Sequence, residues 1–522
     1  MVQLTGLQTG TPQDDAFIGD INLSALEEDK TEAGILSATI NGLKGDDRIE
    51  GTATLAPADS ENLSLTAIGI SQSIIDTGIG DDVVVGRGTA LGFEFELGGK
   101  GLDVLGSGAG IGLLRSSINV GEGDDSLSFE GTGQGADQEG IGVSSSSVDG
   151  GGGDDRIVVT GSRTADDIEG ATGILNSSIA GGGQQDVIEI KAGSFDVRNI
   201  IATGAEQSLV SGDGGEDKIS IEATGADAAA VSGSQIHGRA DNDTIVIRSS
   251  ADGGSATGPG ELTSAISEGA KTGSLIAGDG GNDSISINAT AESSFEATVY
   301  GVRNSTVDGG NGLDTITLEA TSNSVFTEAA FAALETKVSG GNNSDTIELI
   351  ATIETSDVIG FDEVSIAAAS QSVVEGGAGD DTILLAVRGN LEDGNSTAGI
   401  TGVDRSEIYG NSGDDTITVE ATDFADYDIT DSLLFGGGGD DTFDVGIGNG
   451  TLSGGAGEDV AVLDYLNSDA ITVTAIANGI RVNGTQTKSG LEGAWTQDIL
   501  GIENYLVDGV AYSNDALLQT FG

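Results

Sequence analysis

Apolar and polar residues alternate in many short segments along the chain. In DTITLEATS (314–322) and DTITVEATD (415–423), isoleucine, leucine, valine and alanine alternate with threonine and glutamate. A period of two residues predicts a β-strand with one buried face. Two more short strands are predicted upstream of each such segment, the first in stretches such as EGIGV (139–143) and the second in stretches such as STVDGGNG (305–312).

These strands belong to a repeat that runs through most of the 522 residues. Its pattern is Gly-Gly-x-Gly-x-Asp-x-Ile-x-Ile, preceded by Ser-x-Ile or Ser-x-Val. Successive copies lie about 29 residues apart on average. A degenerate sixteenth copy is predicted at Asp15. The aspartates of the fifteen clear copies are Asp47, Asp82, Asp103, Asp125, Asp155, Asp186, Asp217, Asp243, Asp283, Asp314, Asp345, Asp381, Asp415, Asp441 and Asp459.

A unit of three short strands is too small to bury its own apolar side chains, so successive units are expected to stack. The predicted fold is all-β: a parallel β-solenoid (β-roll or β-helix-like) over residues 1–459, with about 30 residues per coil and 15–16 coils. The apolar residue two positions after each aspartate is expected to point into the core. Insertions are expected in the two widest intervals, 243–283 and 345–381.

The C-terminal segment differs in composition from the repeats. After about residue 460 the repeat stops, and the single Trp and three of the six Tyr residues follow. Segment 460–484 reads as strands joined by an Asn-Gly turn at 478–479. Residues 460–522 are therefore predicted to form a small β cap.

The charge balance restricts the partners of this chain. Asp and Glu total 85 against 20 Lys and Arg, which gives a formal net charge of −65. Nucleic acid and anionic membranes would be repelled, so neither nucleic-acid binding nor membrane insertion is expected. The chain has no Cys and one His, which excludes disulfides, zinc-cysteine sites and His-pair metal motifs. A cation is the expected partner.

The glycine turns identify the candidate cation site. Positive φ is readily adopted by glycine and tolerated by Asn or Asp, and the fourth turn position is Gly in 12 of 15 copies, with Asp241, Asn343 and Gln184 as exceptions. Such a turn exposes carbonyl oxygens beside the carboxylate of its aspartate, and hard oxygen ligands favour Ca²⁺. Stacked carboxylates repel one another, and a cation between adjacent turns relieves that repulsion. A column of up to about 14 Ca²⁺ ions is predicted on the fifteen aspartates. The alternative is that each aspartate only caps its own turn.

Several turns resemble a known family motif. GGKGLD (98–103), GGNGLD (309–314), GGAGDD (376–381), GGGGDD (436–441) and GGAGED (454–459) look like the repeats-in-toxin (RTX, hemolysin-type) calcium-binding repeat. The resemblance implies folding that depends on Ca²⁺, coordination by the aspartates and turn carbonyls, and type I secretion without a cleaved signal. Residues 498–518 are similar to the closing segment that follows RTX repeats, which implies a secretion-signal region. In that family the motif usually repeats in tandem every nine residues, whereas this chain has one motif per coil of about 30 residues.

These observations predict a secreted, non-enzymatic calcium-binding solenoid, located outside the cell or on its surface, with a structural role in a filament, sheath, lattice or matrix. Copies of itself, paired head to tail or in a lattice, or a cell-surface glycan are its expected partners. Two alternatives stay open. One is a polysaccharide-acting β-helix enzyme, either a lyase, a hydrolase or an epimerase. The other is an adhesin.

Overall fold

The computed structural model describes residues 2–522 with internal gaps. The residues outside the description are 1, 27–29, 43, 58–63, 92, 97–101, 106, 135–136, 164–169, 195–200, 253–263, 293–295, 325, 355–364, 390–398, 423–424, 426, 468–470 and 487–491. The chain divides into two compact units, Met1–Leu275 and Ile276–Gly522. Each unit is a parallel β-solenoid, as predicted.

Each coil has three strands, and equivalent strands of successive coils pair in parallel to form a face. We name the faces A, B and C. Face A follows the aspartate turn. Its strands in the first unit are Ala16–Leu26, Arg48–Pro57, Val83–Leu91, Ser126–Gln134, Arg156–Arg163, Val187–Ser194, Lys218–Gly225 and Thr244–Ala251. In the second unit they are Ser284–Ala291, Thr315–Ser322, Thr346–Ile353, Thr382–Gly389, Thr416–Ala421, Thr442–Val445, Val460–Val462 and Asn504–Val507.

Face B contains the small-residue strands, and face C leads into the aspartate turn. Three strands, Lys30–Asn41, Tyr427–Gly438 and Gly448–Ala456, are long enough to pair on both faces. The other face B strands are Ser64–Ser71, Ser107–Leu114, Asp137–Ser144, Ala171–Leu175, Ile201–Glu206, Asp227–Ser232 and Ser264–Lys271, then Glu296–Arg303, Phe326–Leu334, Ser365–Ser370 and Thr401–Asp404. Those of face C are Leu4–Thr9, Ile74–Asp76, Ser117–Asn119, Ser147–Asp149, Ser178–Gly183, Leu209–Gly214 and Gln235–Ala240, then Leu275–Gly280, Thr306–Asn311, Lys337–Asn342, Val373–Ala378 and Glu407–Ser412.

The core consists of apolar columns that run from coil to coil. Ile157 pairs with Ile188 and Ile188 with Ile219, and all three are fully buried. The predicted inward position, two residues after the aspartate, is buried at fourteen of the fifteen clear copies. These residues are Ile49, Val84, Leu127, Ile157, Ile188, Ile219, Ile245, Ile285, Ile316, Ile347, Ile383, Ile417, Phe443 and Ala461. Register is strict because a shift of one residue would turn this column outward.

The copy at Asp103 is the exception, and its predicted place in the column is wrong. Phe93–Glu96 and Leu102–Leu105 form an antiparallel hairpin, in which Asp103 pairs with Phe95. Face A continues from Val83–Leu91 directly to Ser126–Gln134. The motif GGKGLD therefore lies within an insertion between two coils. The expected insertions in 243–283 and 345–381 include residues 253–263 and 355–364, which lie outside the described residues.

The C-terminal segment combines parallel pairing, which continues through Glu492–Leu500 and Asn504–Val507, with an antiparallel sheet. Ile471–Ile476, Gly479–Gln486 and Glu492–Leu500 form an antiparallel sheet, and the predicted Asn-Gly turn joins the first two strands, with Asn478 at φ 61°. A 3₁₀ helix (Asp464–Asn467), the strand Val510–Ser513 and an α-helix (Asn514–Phe521) complete it. Trp495 and Tyr505 are buried there.

Candidate metal centre

Each repeat aspartate except Asp103 ends a glycine turn and immediately precedes a face A strand. Asp155, for example, precedes Arg156–Arg163, and the backbone carbonyl of Asp155 accepts a hydrogen bond from Val187 of the next coil. The parallel pairing on either side of the turn fixes the backbone, so the aspartates of successive coils lie one above another.

The aspartate side chains join successive coils through hydrogen bonds, and we call this column the buried Asp ladder. In each step the backbone N–H of one aspartate donates to Oδ1 of the aspartate in the next coil. In the first unit the series is Asp15, Asp47, Asp82, Asp125, Asp155, Asp186, Asp217 and Asp243, with distances of 2.6–2.9 Å. In the second unit it is Asp283, Asp314, Asp345, Asp381, Asp415, Asp441 and Asp459, with distances of 2.7–2.9 Å.

The second carboxyl oxygen is buried without a hydrogen-bond partner in eleven of these aspartates, each at most 2% exposed: Asp47, Asp125, Asp155, Asp186, Asp217, Asp314, Asp345, Asp381, Asp415, Asp441 and Asp459. A buried carboxylate oxygen without a partner is costly, since native proteins satisfy nearly all buried polar atoms. Each of these oxygens is therefore a candidate site for a proton, a cation or a water molecule.

The surroundings of Oδ2 supply further oxygen atoms. A Cβ placed on Gly150 would lie 2.5 Å from Oδ2 of Asp155 and 2.2 Å from the carbonyl oxygen of Gly181 in the next coil. The same juxtaposition recurs at Gly309, between Oδ2 of Asp314 and the carbonyl of Gly340. A carboxylate oxygen and a carbonyl oxygen thus border the space that a Cβ on the same glycine would occupy. This oxygen-only donor set fits Ca²⁺.

The electrostatics agree with a requirement for neutralisation. Burial, opposed by the backbone hydrogen bond and reinforced by neighbouring acidic side chains, raises the pKa of Asp155 to about 8. Burial is likewise the main cause for seven other members of the buried Asp ladder. It raises the pKa to about 7 for Asp125, Asp186, Asp345, Asp415 and Asp441, and to about 6 for Asp217 and Asp381. Without a cation, many of these carboxyls hold a proton at neutral pH.

A second column of acidic residues lies on the outside of the same turns, and we call it the exposed acid column. Its members precede the ladder aspartates by one residue, and their bonds run in the opposite direction. Oδ1 of Asp124 accepts from the N–H of Asp154 at 3.0 Å, and Oδ1 of Asp414 accepts from the N–H of Asp440 at 2.8 Å. These side chains are exposed, as predicted, but they also cap the backbone of the neighbouring coil.

The structure places fourteen of the fifteen predicted ligand residues in the two series and leaves out Asp103. It also places Asp15, the predicted sixteenth copy of the repeat, at the start of the first series. The alternative that each aspartate caps its own turn is wrong in its geometry, because the capped N–H belongs to the adjacent coil. The predicted positive φ at the fourth turn position is confirmed where glycine is replaced, with 82° at Gln184, 74° at Asp241 and 79° at Asn343.

Two features escaped the sequence analysis. Glu503 extends the series, since its Oε2 accepts the N–H of Asp459 at 3.0 Å. The signal was an acidic residue two positions before the buried Tyr505, which is the spacing of the repeat.

The second feature is a serine ladder at the corner between faces B and C. The backbone N–H of Ser116 donates to Oγ of Ser146 in the next coil, and the N–H of Ser146 donates to Oγ of Ser177. Each of these Oγ atoms in turn donates to the carbonyl of the residue two positions before its own serine. The Ser-x-Ile element of the repeat was its signal.

Among the described residues, no group of three or more Asp, Glu, His or Cys side chains forms a metal-binding cluster, so a site here would depend on carbonyl oxygens as well as carboxylates. No described helix is long and apolar enough to cross a membrane. No protein-family model matches the chain. A search of curated proteins likewise found no match.

Proposed function

We propose that this protein is a secreted, non-enzymatic calcium-binding β-solenoid with a structural role outside the cell or on its surface. The observation that carries the proposal is the buried Asp ladder, with its repeated unpartnered Oδ2 atoms. The RTX-like turn motif supports the same metal. In this proposal Ca²⁺ lies between adjacent turns, held by Oδ2 and by turn carbonyls such as that of Gly181.

The internal variation of the repeat favours a cation over a simple cap. In the exposed acid column, positions are also filled by Gln185, Asn282, Leu313 and Ser344. The buried Asp ladder has aspartate at each position given above, and Glu503, which extends it, also carries a carboxylate. An asparagine there would still accept through Oδ1, and its amide would donate to the facing carbonyl. A cap alone would therefore permit Asn, whereas a cation site requires the negative charge.

Metal binding of this kind is linked to folding. At low Ca²⁺ and at a pH above the raised pKa values of about 6–8, the charged carboxylates oppose stacking of the coils. At millimolar Ca²⁺, ions bind the folded state and stabilise it by mass action. Export in an extended form followed by folding outside the cell is the physiological counterpart of this linkage. Assembly with other copies in a filament or lattice completes the proposed role.

The decisive experiment is calcium titration of chelator-treated full-length protein. Far-UV circular dichroism and isothermal titration calorimetry should show cooperative gain of β-structure with several Ca²⁺ bound per chain, and Mg²⁺ should not substitute. Light scattering at millimolar Ca²⁺ should show species larger than a monomer.

A matched pair of variants locates the sites. Asp415→Asn removes a ladder charge and should lower the stoichiometry by one or two Ca²⁺ per chain, because each ladder side chain faces two turns. Asp414→Asn changes the adjacent, exposed residue and should leave the stoichiometry unchanged. A wild-type chain that is fully folded without metal and binds no Ca²⁺ overturns the proposal. Release of reducing or unsaturated sugars from polysaccharides would support the enzymatic alternative.

A further inference from the structure

The outer surface of face A in the first unit carries charges of both signs in nearly equal number. The whole chain has 85 acidic residues against 20 Lys and Arg, so two copies repel each other over most of their surface. On this face, six basic and five acidic side chains point outward: Arg48, Arg87, Arg156, Lys191, Lys218 and Arg248, with Asp20, Glu50, Glu130, Glu189 and Glu222. On the face A strands of the second unit the outward charges are one base and four acids: Arg388, Glu319, Glu348, Glu420 and Asp444. Of these two faces, that of the first unit is the one that a second copy can approach without strong net repulsion.

The charges alternate along one row that runs from coil to coil, and we call it the charged row. Strand register places one member in each coil: Asp20, Thr52, Arg87, Glu130, Thr160, Lys191, Glu222 and Arg248. The row reads negative, neutral, positive, negative, neutral, positive, negative, positive. The side chains of Arg87, Glu130 and Lys191 are 45%, 48% and 51% exposed, so they can meet a surface laid on this face.

The centre of the charged row is complementary to itself about Thr160. Glu130 and Lys191 lie one coil to either side of Thr160, and Arg87 and Glu222 lie two coils to either side. A two-fold axis through Thr160, parallel to the strands, lays face A on face A of a second copy with the order of the coils reversed. Glu130 then faces Lys191 of the second copy, Arg87 faces Glu222, and each pair occurs twice. Of the two-fold axes that oppose unlike charges in this row, the one through Thr160 overlaps the most coils, seven in all.

The neighbouring rows suit the same axis. Val158 precedes Thr160 by two residues and faces Val158 of the second copy, which puts an apolar contact at the centre. Arg156 faces Arg156 of the second copy, but its Nη2 lies 3.0 Å from Oε2 of Glu189, so the axis brings two arginines and two glutamates together. Seven coils at about 4.8 Å and strands of eight residues at about 3.3 Å per residue give roughly 900 Å² on each copy, comparable with the roughly 800 Å² per partner of a stable interface.

We propose that two copies of this chain associate side by side through face A of the first unit, with opposite coil directions, about a two-fold axis through Thr160. This inference rests on the proposed assembly of the protein with itself, and it names the surface and the geometry of that contact. Because the charged pairs lie in solvent at the edges and are desolvated at the centre, they set the register of the two copies while the valines supply apolar burial.

Charge reversal tests the register. Sedimentation velocity of the calcium-loaded full-length protein should show a dimer. Lys191→Glu and Glu130→Lys each oppose like charges twice per dimer, and each should weaken the dimer by at least about tenfold. An equimolar mixture of the two variants should restore the dimer, because every changed residue then faces an unlike charge. Arg115→Glu is the control, since it makes the same change of charge as Lys191→Glu on an exposed residue outside face A, and it should leave the dissociation constant unchanged within about twofold.

Crosslinking tests the position of the axis, since the chain has no native Cys. Packed sheets lie about 10 Å apart, too far for a disulfide, so the probe is a short bismaleimide. Thr160→Cys lies on the axis and should give a crosslinked dimer. Thr52→Cys is the matched control in the same row; its two copies would be about 29 Å apart along the solenoid, and it should stay uncrosslinked. Circular dichroism verifies that each variant is folded.

Three results would overturn this geometry: a wild type that stays monomeric, a mixture that fails to restore the dimer, or Thr52→Cys crosslinking as readily as Thr160→Cys. Calcium binding is measured separately by calorimetry on the same protein. A chain that binds Ca²⁺ but stays monomeric overturns this inference and leaves the calcium proposal standing. A chain that crosslinks through Thr160→Cys but binds no Ca²⁺ supports this inference and overturns the calcium proposal.

Discussion

Raising the pH of the metal-free protein tests the electrostatics of the buried Asp ladder. An unfolded aspartate titrates near pH 3.9, whereas burial raises the pKa of Asp155 to about 8 in the folded chain. The folded state therefore holds a proton between these values that the unfolded state has released. Stability from this group is fully present below pH 3.9 and is lost as the pH rises through about 8.

The magnitude follows from the proton linkage. One proton held only by the folded state changes the free energy of unfolding by about 1.4 kcal/mol per pH unit, or about 3 kcal/mol between pH 5 and pH 7. Eight ladder aspartates have pKa values raised to about 6–8. Even two of them acting independently would remove about 5 kcal/mol over this range, a large part of the 5–15 kcal/mol that stabilises a typical domain.

The assay is urea unfolding, monitored by circular dichroism, of protein freed of metal by chelating resin. Wild-type stability should fall steeply from pH 5 to pH 7. Asp155→Asn should lose about 3 kcal/mol less over that range because it lacks one titrating group. Asp154→Asn, which alters the exposed neighbour, should follow the wild type. A wild-type stability that is flat or rises from pH 5 to pH 7 would refute the assignment of uncharged, buried carboxyls. Millimolar Ca²⁺ should reverse the trend, since ions replace the protons.

Three further predictions concern packing and capping. Gly181→Ala should lower the stability of the protein by about 1–3 kcal/mol in thermal melts, because its Cβ would lie 2.4 Å from Oδ2 of Asp186. The control Gly193→Ala, whose Cβ would have no atom within 4 Å, should leave the stability unchanged. Ser146→Ala should cost about 1–3 kcal/mol in urea unfolding by leaving the N–H of Ser116 unpaired, while the exposed Ser147→Ala should change it by less than about 0.5 kcal/mol. Glu503→Ala should speed amide hydrogen exchange at Asp459; equal exchange in variant and wild type would contradict the capping role.

The sequence was sufficient to predict the solenoid because two periodicities agree. Period-two alternation predicts strands, and the spacing of about 30 residues predicts coils that stack them. The inward column at Ile157, Ile188 and Ile219 follows directly. The position of the aspartates in one line follows as well, since equivalent residues of stacked coils must align.

Asp103 shows where this reasoning fails. Its motif matches the consensus, but the flanking intervals of 21 and 22 residues belong to an insertion rather than to two coils. Interval length alone does not decide the matter, because the 18 residues from Asp441 to Asp459 do form a coil. The difference lies in the surrounding strands: Val83–Leu91 already pairs with Ser126–Gln134, so the face has no place for a strand after Asp103. Pairing partners are tertiary information that a motif does not contain.

The first glycine of the turn shows that one residue type can have two physical causes. Gly151 and Gly153 adopt φ of 90° and 135°, which explains glycine by backbone conformation. Gly150 does not adopt positive φ, and it is required because Oδ2 of Asp155 and the Gly181 carbonyl occupy the space of a Cβ. The sequence alone attributed all of the turn glycines to conformation. The first glycine instead leaves room for a carboxylate oxygen and a carbonyl oxygen that a Cβ would displace.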